Sequence, residues 1–203
     1  MTHIRHSEKV FNMKRLLLIL ILTFSFQLWA TADDISDFQI EGMSIGDSAL
    51  DYFSKDQIIK NSRNYYKNKK FTPVQNDNLS FFKTYDAVDF GFITGDGKYL
   101  FHSISGVLFT KNMANCINKQ KEIKKEMALI FPNALTTNKD KVYNDDNWKG
   151  TRNIQFVFFL KNNGGSAAVH CMNYSEEHGG QDHLSVTLKT KKINDFLLNE
   201  AYK

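Results

Sequence analysis

Ile154-Gln155-Phe156-Val157-Phe158-Phe159-Leu160-Lys161 and Ser166-Ala167-Ala168-Val169-His170-Cys171-Met172-Asn173-Tyr174 stand on either side of Asn163-Gly164-Gly165. Two runs rich in β-branched and aromatic residues, broken by an Asn-Gly step, predict a hairpin. Its tight turn needs positive φ, which glycine adopts without penalty. The pattern recurs upstream, where residues 84–94 and 98–110 flank Gly95-Asp96-Gly97. Downstream, Leu184, Val186 and Leu188 alternate with Ser185, Thr187 and Lys189, the period of a half-buried strand. Hairpins joined by short turns impose antiparallel pairing, so the sheet is expected to be mostly antiparallel.

Helical periods fill the space between these runs. Met113, Cys116, Ile117, Ile123, Met127 and Ile130 share one face of a helix expected over residues 113–131, stopped by Pro132. Its wet face is charged, with Lys119, Lys121, Lys124 and Lys125 among Glu122 and Glu126. Ser48-Ala49-Leu50-Asp51 and Ser54-Lys55-Asp56-Gln57 match capping boxes and open an earlier helix that ends before Pro73. Residues 193–202 read as a closing helix, residues 38–40 as a short strand, and residues 136–150 as the longest loop. The expectation is α+β: a single domain with a mostly antiparallel sheet built from hairpins and amphipathic helices packed on one face. The order is α-β-β-α-β-β-β-α.

The N-terminus bears on localisation. Lys14 and Arg15 precede an apolar run over residues 16–29, and Ala30-Thr31-Ala32 then places small residues at −3 and −1. That is the pattern of a secretory signal peptide over residues 1–32, cleaved after Ala32, with Met13 an alternative start. The exported domain would be residues 33–203, periplasmic or secreted. Contact with a membrane would come only through the signal segment, were it left uncleaved.

Cleavage alters the charge. The 203-residue chain carries 26 Lys plus Arg against 22 Asp plus Glu, a net of +4. Removing residues 1–32 takes Arg5, Lys9, Lys14 and Arg15 but only Glu8, leaving 22 basic and 21 acidic residues. A general polyanion field is therefore missing, and no nucleic-acid partner is expected. The 42% hydrophobic content excludes a disordered chain.

Cys116 and Cys171 make a lone even pair. In an oxidising compartment such a pair becomes a disulfide, here joining the long helix to a strand. By the chain-entropy argument, closing this loop contributes about 4 kcal/mol. A catalytic thiol is disfavoured, because no Cys-x-x-Cys occurs.

Several short motifs suggest chemistry and compete with plainer roles. Gly42-Met43-Ser44-Ile45-Gly46 has the G-x-S-x-G spacing of a nucleophile elbow, but only a short strand precedes it. Gly46-Asp47-Ser48-Ala49-Leu50 resembles the first block of the SGNH (GDSL-type) hydrolases, which implies Ser48 as nucleophile. That family's Gly-x-Asn-Asp and Asp-x-x-His blocks are absent: Asn144-Asp145 lacks the glycine, and Asp182 adjoins His183 directly. The competing role for Ser48 is a helix cap. Glu177, His178 and His183 could hold a metal, although the five-residue step between the histidines is not helical zinc spacing. Asp145, Asn147 and Gly150 open like an EF-hand, but Lys149 and Phe156 occupy ligand positions and exclude calcium. Arg63, Lys67, Lys69 and Lys70, beside Tyr65, Tyr66 and Phe71, form the single basic and aromatic cluster. It would hold an anion or serve as a solvated helix end.

Residues 40–48, Ser103-Ile104-Ser105-Gly106, the helix bearing Cys116, and Asn199-Glu200-Ala201-Tyr202-Lys203 resemble a family of small exported proteins from marine alphaproteobacteria. The resemblance implies an exported bacterial domain and supplies no activity. The Gly-Met-Ser-x-Gly-Asp-Ser entry also looks like the helix start of small outer-membrane assembly lipoproteins. The resulting expectation is a non-enzymatic exported domain, without a cofactor, that binds an envelope protein or a small ligand. The alternatives are a periplasmic hydrolase using Ser48 or a metal at His178 and His183, and an envelope-anchored structural protein.

Overall fold

A computed structural model describes residues 35–77, 80–144, 148–162 and 164–203. Residues 1–32, over which a signal peptide is expected, lie outside the described residues, as do Asp33, Asp34, Asp145, Asn147 and Asn163. The described chain is α+β. A two-stranded ribbon, β1 (Gln39–Ile40) and β2 (Met43–Ser44), precedes a seven-stranded antiparallel sheet. That sheet comprises β3 (Phe71–Asp77), β4 (Ala87–Ile93), β5 (Ser103–Phe109), β6 (Leu135–Val142), β7 (Arg152–Phe159), β8 (Ser166–Asn173) and β9 (His183–Lys189). The helices are α1 (Lys55–Asn61), α2 (Met113–Ile130) and α3 (Lys191–Asn199). None of them is long and apolar enough to cross a membrane.

The strand order is β3-β4-β5-β9-β8-β7-β6. Two meanders, β3 to β5 and β6 to β9, meet where β5 pairs with β9 over seven residues, Ser103 opposite Lys189 through Phe109 opposite His183. α2 carries the chain from the centre of the sheet back to its far edge.

Alternate strand residues point to opposite faces, and the two faces differ. One face presents Val74, Val88, Phe90, Phe92, Ile104, Leu184, Val186, Leu188, Val169 and Phe158, all part of the main buried core. The N-terminal ribbon, α1 and α2 cover it: Ile40, Met43, Phe53 and Ile58 pack over β3 to β5, and Cys116 and Met127 over the other half. Phe53 stacks on Phe90 at 5.2 Å, and Phe101 meets Phe90 edge-on at 5.0 Å. Gln120, fully buried on α2, donates through Nε2 to the carbonyls of Ile154 (2.7 Å) and Val169 (3.1 Å).

Local chemistry explains the element ends. Ser54 and Gln57 form a complete capping box on α1. Asn112 caps α2 by accepting from the Asn115 amide. Glu41 and Gly42, both at positive φ, turn β1 into β2. The Glu41 carboxylate accepts from the amides of Lys83 (2.9 Å), Thr84 (2.6 Å) and Tyr85 (2.9 Å), which ties the approach to β4 onto the ribbon. Partial burial acts to raise its pKa, but these three donors prevail and lower it.

The structure departs from the sequence reading in four places. The first helix is short: Ala49–Asp51 is one 3-10 turn and α1 ends at Asn61. Residues 71–77 form an edge strand, where Pro73 is tolerated because its missing N–H breaks no inner ladder. Half of the expected long loop is β6, the opposite edge, with every side chain exposed. Its eight residues pair with β7 through the backbone, and Arg152 forks onto Asp140 at 2.8 and 2.6 Å. Finally, the helices do not all lie on one face, because α3 packs on the other. Ile193 Cδ1 lies 3.3 Å from where a side chain on Gly91 would begin, and Phe196 packs with Phe71 at 4.9 Å.

Cys116 and Cys171 are joined, pinning α2 to β8 with their Cα atoms 6.0 Å apart. The paired variant Cys116→Ser/Cys171→Ser is expected to lose about 2–4 kcal/mol of stability, read from denaturant melts under oxidising conditions. An unchanged midpoint would contradict a structural role for the bond.

Candidate functional site

The second sheet face is polar where the first is apolar. One row runs Gln75, Asp89, Ser105, Thr187 across four neighbouring strands, and the next runs Asp77, Ala87, Val107, Ser185, His170. Ser105 and Thr187 share a hydroxyl hydrogen bond of 2.9 Å. α3 roofs one end of this face, and the segment from Tyr174 to His183 walls the other. Between them lies a cleft of about 280 Å³ lined by Gln75, Asp77, Asp89, Tyr174, His178 and His183, with Ala87, Val107 and Phe109 in its apolar floor.

Asp89 is the acid at its centre. Tyr65 Oη (2.7 Å) and Arg63 Nε (3.3 Å) both donate to Gln75 Oε1. That engages Oε1 and leaves the amide NH2 as the group through which Gln75 acts on Asp89. Burial pushes the Asp89 carboxyl up to about 7. The Gln75 hydrogen bond opposes the shift, the neighbouring Asp77 charge adds to it, and Arg63 opposes it more weakly.

The wall is built from stacked rings. His178 stacks against both Trp148 (4.6 Å) and Tyr174 (4.7 Å), which also contact each other at 5.9 Å, so the three rings form one cluster. Asp182 anchors the segment by accepting from Asn173 Nδ2 and the Tyr174 amide, each at 2.7 Å. Tyr174 lies flat against Gly180, where any Cβ would meet the ring at 2.6 Å. Burial raises the Tyr174 hydroxyl to about 12, so it remains a proton donor.

His183 Nδ1 lies 3.0 Å from the Gln181 carbonyl. A carbonyl only accepts, so Nδ1 carries the proton and Nε2 is an acceptor. Burial lowers the His183 pKa and favours this neutral form. His170, deeper on the same face, is pushed down to about 3 by burial and then by the Lys189 and His183 charges. Burial also lowers Lys189.

The residues singled out in the sequence fall in different places. Ser48 Oγ accepts from the Leu50 amide (3.2 Å) and donates to the Lys98 carbonyl (2.8 Å), which places it as the cap of a 3-10 turn. Glu177 is exposed while His178 and His183 both line the cleft. Among the described residues no three His, Cys, Asp or Glu side chains come together in a metal-ligating group. The basic cluster lies beyond the end of α1, in the connection to β3. There Lys70 pairs with Glu200 at 2.9 Å, Lys69 hydrogen-bonds Asn64, and Lys67 is exposed. Its rings are largely committed to packing: Phe71 is buried, and Tyr66 meets Phe196 edge-on at 5.2 Å. Arg63 and Tyr65 of this cluster reach toward the cleft, through Gln75.

Asp89, Gln75, Asp77 and Tyr174 are the site residues that the sequence reading missed. The available signal was an acid in mid-strand, Asp89, between Val88 and Phe90. Two other hollows, of about 250 and 260 Å³, gather no pairing of acid with imidazole. No protein-family model matches the chain, nor does any curated protein or solved structure.

The raised Asp89 pKa gives a signed prediction. The unfolded carboxyl loses its proton near pH 4 and the folded one near 7, so stability falls as pH rises through this window. Asp89→Asn should therefore stabilise the protein above pH 7, by up to about 4 kcal/mol, and have little effect below pH 4. Urea midpoints of the two proteins across this range test it; a difference independent of pH would contradict the assignment.

Proposed function

We propose that this protein is an exported bacterial domain, residues 33–203, that binds a small ligand in the cleft over Asp89 and performs no catalysis there. The observation that carries this reading is a recess of about 280 Å³ into which a carboxyl of displaced pKa, a neutral imidazole and stacked rings converge. Concave sites that combine an apolar floor with a few convergent polar groups are where small molecules bind. The size is at the lower end for such sites, which suits a small occupant.

Binding rather than turnover is favoured by how the side chains are engaged. The Ser48 hydroxyl is satisfied by backbone at both ends of its hydrogen-bonding capacity. On the same sheet face, beside the cleft, Ser105 and Thr187 bond to each other. Export is supported by the leader-like residues 1–32, and the disulfide suits an oxidising compartment.

Two measurements test the proposal. Edman sequencing of the protein from the exported fraction should begin at Asp33; an intact leader would contradict export. Protein incubated with a small-molecule extract and then denatured should release an enriched compound, detectable by mass spectrometry. Val107→Trp, which fills the floor of the cleft, should release none. Equal enrichment by both proteins, or by neither, would overturn the cleft reading.

A further inference from the structure

Resting on the reading of this cleft as a ligand site, we propose that its occupant is a small organic cation, a primary or quaternary ammonium, seated between Asp77 and Asp89 and against the ring of Tyr174. The lining sets the class. Two carboxyl groups face the recess, while no lysine or arginine is among the residues that line it. Among the described residues neither Asp77 nor Asp89 belongs to an ion pair. Asp77, exposed at the rim, and Asp89, partly buried behind it, repel one another with only the weaker charge of Arg63 acting on Asp89 from outside the recess, and an entering cation would relieve this repulsion.

The remaining groups suit the same class. Phe109, Tyr174 and His178 present ring carbon to the recess, and cations are attracted to aromatic faces. Both histidines of the wall also bear on the charge balance, and His183 is held neutral with Nε2 as an acceptor. Arg63, the nearest protein cation, is engaged by Gln75 Oε1 and by the Ser62 carbonyl at 3.4 Å. It stands behind Gln75 and outside the recess. A phosphate or carboxylate ligand would meet the two acids directly and be repelled.

Ligand charge and the protonation of Asp89 are then linked. A cation binds the ionised carboxylate, so affinity should tighten as pH rises from 6 to 8; Asp77, His178, His183 and Tyr174 are the other ionisable side chains that face the site.

Calorimetric titration of the full chain with butylammonium, tetramethylammonium, glucose and calcium chloride tests the proposal. One of the two ammonium salts should bind saturably, more tightly at pH 8 than at pH 6. Asp89→Asn and Asp77→Asn should each weaken it by roughly tenfold or more, as expected for loss of a charge-assisted contact. Thermal melts of both variants establish that they fold. Binding of glucose or calcium without either ammonium overturns the organic-ammonium class while leaving the cleft as a site. A neutral or anionic compound recovered from the extract does the same. Silence from all four probes, with nothing recovered from the extract, overturns both readings.

Discussion

The pairing of β5 with β9 is the constraint on which the rest of the molecule depends. Among the described residues it is the one strand pairing that joins two meanders otherwise local in sequence. Its register sets Phe109 opposite His183 and Ser105 opposite Thr187, joining the acidic half of the polar face to the half carrying the imidazoles. A slip of one residue would turn Leu184, Val186 and Leu188 out of the core and bury Ser185 and Thr187 in their place. The disulfide acts on the same junction from the other side. It ties α2 to β8, the strand beside β9, and so holds the covering helix over the second meander.

This arrangement separates the face that builds the core from the face of the proposed binding cleft. The apolar face is closed by the N-terminal ribbon, α1 and α2, and its rings interlock around Phe53, Phe90 and Phe101. The opposite face is covered by α3 at one end and walled by the segment from Tyr174 to His183 at the other, leaving ionisable groups partly enclosed. Holding Asp89 there costs stability at neutral pH, because burial disfavours its charged form. A group kept at such a cost is a mark of a functional site, since an asparagine of similar shape would avoid it.

Much of the fold was legible in the sequence, for identifiable reasons. α2 carries a helical apolar period bounded by a capping Asn112 and by Pro132, and the structure ends it at Ile130. The glycine steps at 95–97 and 164–165 mark real reversals, with Gly95 and Gly164 at positive φ. The edges were not legible. β6 buries nothing, so backbone pairing alone makes it a strand and no hydrophobic period announces it. β3 was obscured by Pro73, which is permitted only at an edge. The placing of α3 on the second face follows from tertiary packing of Ile193 and Phe196 on Gly91 and Phe71, which no local pattern encodes. The site was harder still. His178 and His183 stood out as a cluster, yet their partners Gln75, Asp77 and Asp89 come from strands about a hundred residues away. Only the register of β3, β4, β5 and β9 brings them together.

The central claim is that Asp89 is a recessed carboxyl awaiting a counter-charge. A carbon-13 NMR titration of the aspartate side-chain carboxyls measures this directly. One aspartate resonance, lost in Asp89→Asn, should titrate near pH 7 and shift to lower pH when an organic ammonium is added. An Asp89 resonance that titrates near pH 4 and ignores the ammonium would contradict it.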